Sequence, residues 1–335
     1  VNDFIRLGHG SGGKLSHDLI SAILLPAFAN TILNEGHDAA RFTIQGANLA
    51  FTTDSFVVKP LFFPGGDIGR LAVCGTVNDL AVSGAEPLYI SASFVLETGF
   101  PLADLQKIVN SMAATAREAG VLIVTGDTKV VEKGAVDGIF INTAGLGRLI
   151  TGVDIKPVNA APGQDIIVSG SLGEHALAVM RERHGLKFPG EVISDCAPLN
   201  SLISELLVAV PQVAVMRDPT RGGLATTLNE IASQANVGIL LEEELIPVNP
   251  TVCAICQIFG YDPLYLANEG KLILFVESSF SEKTLATLHR HPLGRGARKI
   301  GQVTAEHRGL VGLRTAIGGI RLLDMLADDQ LPRIC

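Results

Sequence analysis

Three aspartates in the first half of the chain are the residues whose setting most invites chemistry. Asp54 and Asp127 each stand just past a predicted strand, where ligand-binding loops gather. Asp79, beside Asn78, interrupts an otherwise apolar helical run from Leu71 to Val82. A buried carboxylate is costly unless a cation or hydrogen bonds offset it. Mg²⁺ takes a few carboxylates together with water and substrate phosphates, so the three together suit a magnesium–nucleotide complex. Taken singly, each is also a fair cap or turn residue, and for Asp54 alone that plainer reading comes first.

Other segments add to this set. Gly8-His9-Gly10-Ser11-Gly12-Gly13-Lys14 reads as a phosphate loop whose backbone N–H groups can approach an anion. Leu15 stands where a P-loop needs Ser or Thr, and too little chain precedes it for a core strand, so a P-loop NTPase fold is excluded. By itself the segment reads first as a flexible lead-in. Asp218-Pro219-Thr220-Arg221-Gly222-Gly223 opens a helix straight after a strand, either a phosphate site at a helix N-terminus or an ordinary strand-to-helix turn. Glu269, in Asn268-Glu269-Gly270, is a candidate base or ligand, or equally a hairpin-turn carboxylate. His9 is the histidine to test. Cys253 and Cys256 form a lone C-x-x-C without nearby partners for zinc and read as core cysteines on a helix face, as do Cys74 and Cys196.

The last residue, Cys335, is itself a cysteine. Pro332 disfavours helix before it, and from Asp328 onward the chain reads as free to extend. At up to ~3.5 Å per residue such a tail carries a thiol on the order of 20 Å. That suits a carrier; a frayed terminus is the plainer alternative.

The elements that must hold these residues are legible in outline. Hydrophobic residues make up 47% of the 335, enough for the cores of two domains. The net charge of −8 and the absence of a basic run argue against nucleic acid as the main partner. Val1–Leu7 shows no signal-peptide pattern, and the first residue, Val1, points to a processed or alternative start. No apolar stretch reaches the ~20 residues of a membrane span. Five cysteines, an odd number, give no disulfide framework and fit a reducing cytoplasm. In the first half, strands are expected at 47–53, 88–96, 121–124 (ending in Thr125-Gly126-Asp127-Thr128-Lys129) and 138–149. Helices are expected from an Asp67 cap to about Val82, and over 101–119 with Leu102, Leu105, Ile108, Val109 and Met112 inward. Beyond Pro157 and Pro162-Gly163, a second α/β half follows. It has helices at 173–183, 199–210, up to Asn236, 250–259 and 281–290, and strands at 165–168, 213–216, 238–241, 271–276 and two near 298–313. Residues 319–327 have apolar positions at helical spacing and are expected to form a docked helix.

In this order, His9–Lys14, Thr53-Asp54-Ser55, Val77-Asn78-Asp79-Leu80, Gly126–Lys129, Arg217–Gly223, Asn268–Gly270 and the terminal Pro332-Arg333-Ile334-Cys335 resemble the family of the hydrogenase maturation factor HypE. That family belongs to the ATP-using, PurM-like superfamily of aminoimidazole ribonucleotide synthetase, selenophosphate synthetase and thiamine-monophosphate kinase. The resemblance spans essentially the whole chain. It implies two α/β (α+β) domains, the first pairing in a homodimer with ATP near the interface. The segments would be a Gly-rich nucleotide-contacting lead at 1–34, an ATP-binding and dimerisation domain at 35–155, a C-terminal α/β domain at 156–314, and a helix and mobile tail at 315–335.

The resemblance also implies a carbamoyl dehydratase. A carbamoyl group would reach Cys335 from the carbamoyltransferase HypF, ATP would drive its dehydration to a thiocyanate, and the cyano group would pass to iron held by HypC–HypD. Mg²⁺ would sit on Asp54, Asp79 and Asp127, with Asp218 a further candidate. Gly10, Ser11, Gly12, Gly13, Lys14, Arg221, Gly222 and Gly223 would contact nucleotide. Lys129 and Lys14 would stabilise the transferring group, and Glu269 is the first candidate base, with Lys129 or His9 assisting. The alternatives are a small-molecule kinase or synthetase of the same superfamily and a non-catalytic carrier.

Overall fold

The computed structural model describes residues 5–10, 12–28, 30–35, 37–185, 191–326, 331 and 333–335. Ser11, Pro332 and most of the expected extension from Asp328 lie outside the described residues.

After the short helices α1 (Lys14–Leu19) and α2 (Leu25–Phe28), the first domain opens with a hairpin of β1 (Ala40–Ile44) and β2 (Ala47–Phe56). Gln45 and Gly46 both take positive φ in its two-residue turn, as such hairpins demand. The short pair β3 (Phe62–Phe63) and β4 (Gly66–Asp67) leads into α3 (Ile68–Val82). As expected, Asp67 caps α3, its Oδ1 accepting from Gly69 N at 2.7 Å and Arg70 N at 3.1 Å. β5 (Ala85–Glu97), α4 (Leu102–Ala119), β6 (Leu122–Val131) and β7 (Ile139–Leu149) complete a sheet of order β1-β2-β7-β5-β6, antiparallel except for β5 with β6. α3 is apolar nearly all round because it is covered on every side.

The second domain comprises β8 (Gln164–Val168), α5 (Glu174–His184), α6 (Asn200–Ala209), β9 (Val215–Arg217), α7 (Gly223–Ala235), β10 (Gly238–Glu242), α8 (Pro250–Phe259), β11 (Ile273–Glu277), α9 (Ser281–Arg290), β12 (Arg298–Thr304), β13 (Val311–Arg314) and β14 (Ile320–Leu323). Its sheet runs β14-β13-β10-β12-β8-β11-β9. α7 covers one face through Leu224, Leu228 and Ile231. α6 and α9 cover the other, where Ala81 and Val82 of α3 join the same core. A further core unites Leu71 and Val77 of α3 with Ala176–Met180 of α5 and with Ile334 and Cys335. The two domains and the tail therefore share one apolar seam. Among the described residues no helix is long and apolar enough to cross a membrane.

Three expectations are corrected. Residues 320–323 form the edge strand β14, not a helix. Gly318, at φ +89°, turns the chain back so that residues 320–323 pair with β13, and that pairing overrides the helical spacing of apolar residues over 319–327. β6 does not end at Thr125. It runs on to Val131 because β5 continues to offer partners, Ser93 to Asp127 and Val95 to Lys129. Gly126 permits this: a Cβ there would lie 2.0 Å from Ala92 O. On α4, Ile108 and Met112 are buried, but Leu102 is 81% and Val109 39% exposed. The buried face follows Ile108, Met112, Thr115, Ala116 and Ala119, which leaves both off the stripe.

Candidate active site

Most of the chemistry-bearing residues converge on a cavity of about 220 Å³ between the domains. β2 supplies Asp54 and α3 supplies Asp79. Asp218 follows β9, and Arg221 and Gly222 lead into α7. Gly222 (φ +77°) and Gly223 (φ +62°) take the left-handed backbone of this turn, and a Cβ on Gly223 would lie 2.6 Å from Leu264 O. Glu269 and Cys335 close the cavity, and Gly12 of the Gly-rich segment lines it.

Carboxylate oxygens of Asp38, Asp79 and Asp218 lie within 4.8 Å of one another. Thr52 Oγ1 donates to Asp79 Oδ2 at 2.7 Å. Arg217 Nε lies 2.7 Å from Asp38 Oδ2, and its Nη2 3.0 Å from Glu230 Oε2. One guanidinium does not balance this cluster. Burial first, then the charges of Asp54, Asp218 and Asp38, push the Asp79 carboxyl well above the usual range. Asp218 is pushed up to about 7 by burial and by Asp38. Burial also raises Asp54, against the pull of Arg221. Converging hard oxygen donors that resist ionisation on their own are a donor set that fits Mg²⁺.

Glu269 is no hairpin-turn residue. It is 3% exposed, its Oε1 has no hydrogen-bond partner among the described residues, and burial drives its carboxyl well above the usual range. Its loop is rigidly held. Asp195 accepts from Glu269 N and Gly270 N, both at 3.2 Å, and Asn268 Nδ2 donates to Pro219 O at 3.1 Å.

The tail end is docked. Val57 N donates to Cys335 O and Lys59 N to Arg333 O, each at 3.2 Å, so two backbone hydrogen bonds hold the tail end antiparallel to residues 57–59. Arg333 Nε donates to Val57 O at 2.8 Å and its Nη1 to Asp137 at 2.6 Å. Cys335 Sγ lies 3.6 Å from Arg221 Nη1. Whether the terminal thiol ionises is open in the sequence; in this seat burial outweighs Arg221 and pushes it up to about 12. A second, narrow cavity of about 70 Å³, lined by Gly10, Arg221, Leu266 and the tail itself, runs beside the chain end.

The fold thus brings Gly12, Asp54, Asp79, Asp218, Arg221, Gly222, Glu269 and Cys335 together. It does not bring Asp127 and Lys129 to the cavity of the same chain. Both are exposed on β6 and pair with each other at 2.8 Å, which holds the Asp127 carboxyl below its usual range. Lys14 is exposed at the start of α1 with its backbone N bonded to Leu326 O. His9 Nδ1 accepts from Arg6 N, and His9 lines neither cavity. Asp38 and Glu230 are site residues that motif reading missed, and Arg217 stands in the Arg217–Gly223 motif without an expected role. Asp38 was hidden because the strand after it, β1, was not expected; the Gln45-Gly46 turn is the signal that could have found both.

A two-domain chain with a carboxylate cleft at the domain seam defines an AIR synthase-related protein. The sequence matches the AIR synthase related protein N-terminal domain over residues 36–149 and its C-terminal domain over residues 161–313. Carbamoyl dehydratase HypE of Cupriavidus necator is 53% identical over 332 residues, covering 99% of this chain and 95% of that one. HypE of Escherichia coli K12 is 48% identical, covering 99% of both. A crystal structure of HypE in complex with ATP superposes with a TM-score of 0.84 at 49% identity over 99% of this chain and all of that one. A HypE–HypF complex gives 0.88 at 49% identity, covering 92% and 99%. The chain belongs to the HypE carbamoyl dehydratase family.

Proposed function

We propose that this chain uses ATP to dehydrate an S-carboxamide carried on its own Cys335 to a thiocyanate, the source of the cyanide ligand of iron in nickel–iron hydrogenase. The observation that carries this reading is the seat of Cys335, whose side chain lines the same cavity as Glu269, Asp54, Asp79 and Asp218. The HypE–ATP and HypE–HypF structures support ATP as co-substrate and HypF as the carbamoyl donor.

The S-carboxamide and ATP give the thiocyanate, ADP, phosphate and one proton. The amide oxygen departs on phosphorus, and the nitrogen loses both protons, one ending on the phosphate and one released to solvent. Amide oxygen leaves poorly until phosphorylated, and phosphoryl transfer asks mainly for positioning and charge neutralisation. Arg221 and the Gly222–Gly223 helix start would hold phosphate, with Gly10, Gly12, Gly13 and Lys14 covering it. Asp38, Asp79 and Asp218, with Asp54 beside them, would hold Mg²⁺, which neutralises polyphosphate charge when bound. Glu269 takes a proton from nitrogen; a desolvated carboxylate with a free oxygen is a stronger base than a solvated one. The core around Ile334 and Cys335 keeps water from the activated carbon.

The seat suits a neutral sulfur, such as a carboxamide or thiocyanate, better than a thiolate. Loading therefore belongs to an undocked tail and dehydration to the docked one. Asp127 and Lys129 act, in this reading, across a homodimer formed through β6. HypC–HypD accepts the cyanide. All five cysteines are free, which with the ATP requirement fits the cytoplasm. Cys335→Ala is expected to keep the fold and, by calorimetry, ATP binding, while abolishing cyanation. A chain lacking residues 331–335 that still turned over ATP on a small substrate at the full rate would instead favour a superfamily kinase.

A further inference from the structure

His175, on α5, takes no part in the chemistry above, yet it is fully buried and touches the tail. Its Nε2 lies 2.8 Å from Ile334 O and its Nδ1 2.8 Å from Ser194 Oγ. A carbonyl oxygen only accepts, so Nε2 carries the hydrogen. In the neutral ring Nδ1 then accepts from the Ser194 hydroxyl. Ser194 Oγ in turn accepts from Cys196 N at 3.1 Å. Every polar atom of the series is satisfied, and Phe63 stacks edge-on against the imidazole with centroids 5.4 Å apart. Burial holds the ring neutral against the pull of Asp195.

We propose that His175 is a positioning residue that latches the C-terminal tail, its Nε2–H gripping the last internal peptide carbonyl so that Cys335 is set in the active-site cavity. The backbone pairing with residues 57–59 fixes the tail's direction along one edge. His175 holds it from the opposite domain, one residue before the sulfur. The Ser194–Ala197 segment behind the latch also holds the base, because Asp195 carries the Glu269 and Gly270 amides. Seating the tail and fixing Glu269 thus depend on one short stretch of chain. When the tail leaves, the buried Nε2–H loses its acceptor, so the latch favours the docked state by the worth of one buried hydrogen bond.

The inference rests on the reading of Cys335 as the reacting sulfur only for its purpose; the latch itself is measured without any dehydration. The probe is iodoacetamide on the full chain, followed by mass spectrometry of the C-terminal peptide. His175→Leu should speed Cys335 alkylation by about tenfold, the factor expected for one buried hydrogen bond lost. His175→Gln, whose amide N–H can reach the same carbonyl, should restore slow alkylation in large part. In a chain lacking residues 331–335, His175→Leu should lower the melting temperature less than in the full chain. Equal alkylation rates in native, Leu and Gln chains would overturn the latch, as would a Leu cost unaffected by tail deletion. Should the Leu chain not fold, Ser194→Ala, which removes the hydroxyl that fixes the imidazole, takes its place: faster alkylation supports the latch and an unchanged rate refutes it.

Discussion

In the sequence Asp79 and Asp127 read as members of one metal set, and the fold treats them in opposite ways. Asp79 sits deep in the cleft among other carboxylates, where burial drives it toward the neutral form. Asp127 lies on an exposed edge strand, paired with Lys129 and comfortably ionised. The first arrangement is under electrostatic strain that a bound cation relieves. The second is at rest, and its apolar neighbours Leu122, Val124 and Val130 are each more than half exposed. An edge strand with such a face is a template for pairing with another chain. The cleft is thus assembled within one chain, whereas β6 is an exposed edge whose residues would gain the role proposed above only if a second copy paired with it.

The largest effect that sharpens this contrast is at Asp79. Asp79→Asn should lower magnesium-dependent turnover on the order of 100-fold, the usual size for removing one preorganised electrostatic group. It should at the same time raise the melting temperature of the metal-free protein, because a strained buried carboxylate has gone. The pH dependence carries the same sign. Asp218 and Asp79 have raised folded-state values, so their contribution to metal-free stability is full below the ordinary carboxylate range and is lost as pH rises through about 7 for Asp218. Added Mg²⁺ should therefore raise the melting temperature more at about pH 8 than at about pH 5. Equal shifts at the two pH values would break the strain half of the comparison.

A smaller effect is expected on β6. Val124→Glu should leave the melting temperature of the isolated chain unchanged but shift sedimentation from dimer to monomer. An unchanged sedimentation coefficient would remove β6 as the pairing surface and leave Asp127 and Lys129 without a route to any active site.

Much of the frame was readable because local signals agreed. Asp67 announces the start of α3, and the expected helix at 250–259 is α8. Asp79 points to a site by its apolar setting alone, whereas Asp54, Asp218, Arg221 and Glu269 are each ambiguous alone and form a set with it by sharing a cleft. What stayed hidden depends on tertiary context. A histidine inside a helix reads as core, and His175 is core; that its Nε2 meets the chain terminus 159 residues away is not in any local pattern. Residues 319–327 read as helix because their apolar positions fall at helical spacing, and β13 decides the matter over 320–323 by offering an unpaired edge. In the sequence, Arg333 favours a Cys335 thiolate and the nearby terminal carboxylate opposes it. The fold sends Arg333 to Asp137 and Val57, brings up Arg221 instead, and lets burial win.

The most direct measurement is the intact mass of the chain, and then of its C-terminal peptide, after incubation with a carbamoylating partner, ATP and Mg²⁺. The peptide ending in Cys335 should first gain the mass of a carbamoyl group and then, only when ATP is present, lose the mass of one water. A carbamoyl or dehydrated mass mapped to any other residue, or turnover with Cys335 unmodified throughout, would contradict the seat of this sulfur as the place of reaction.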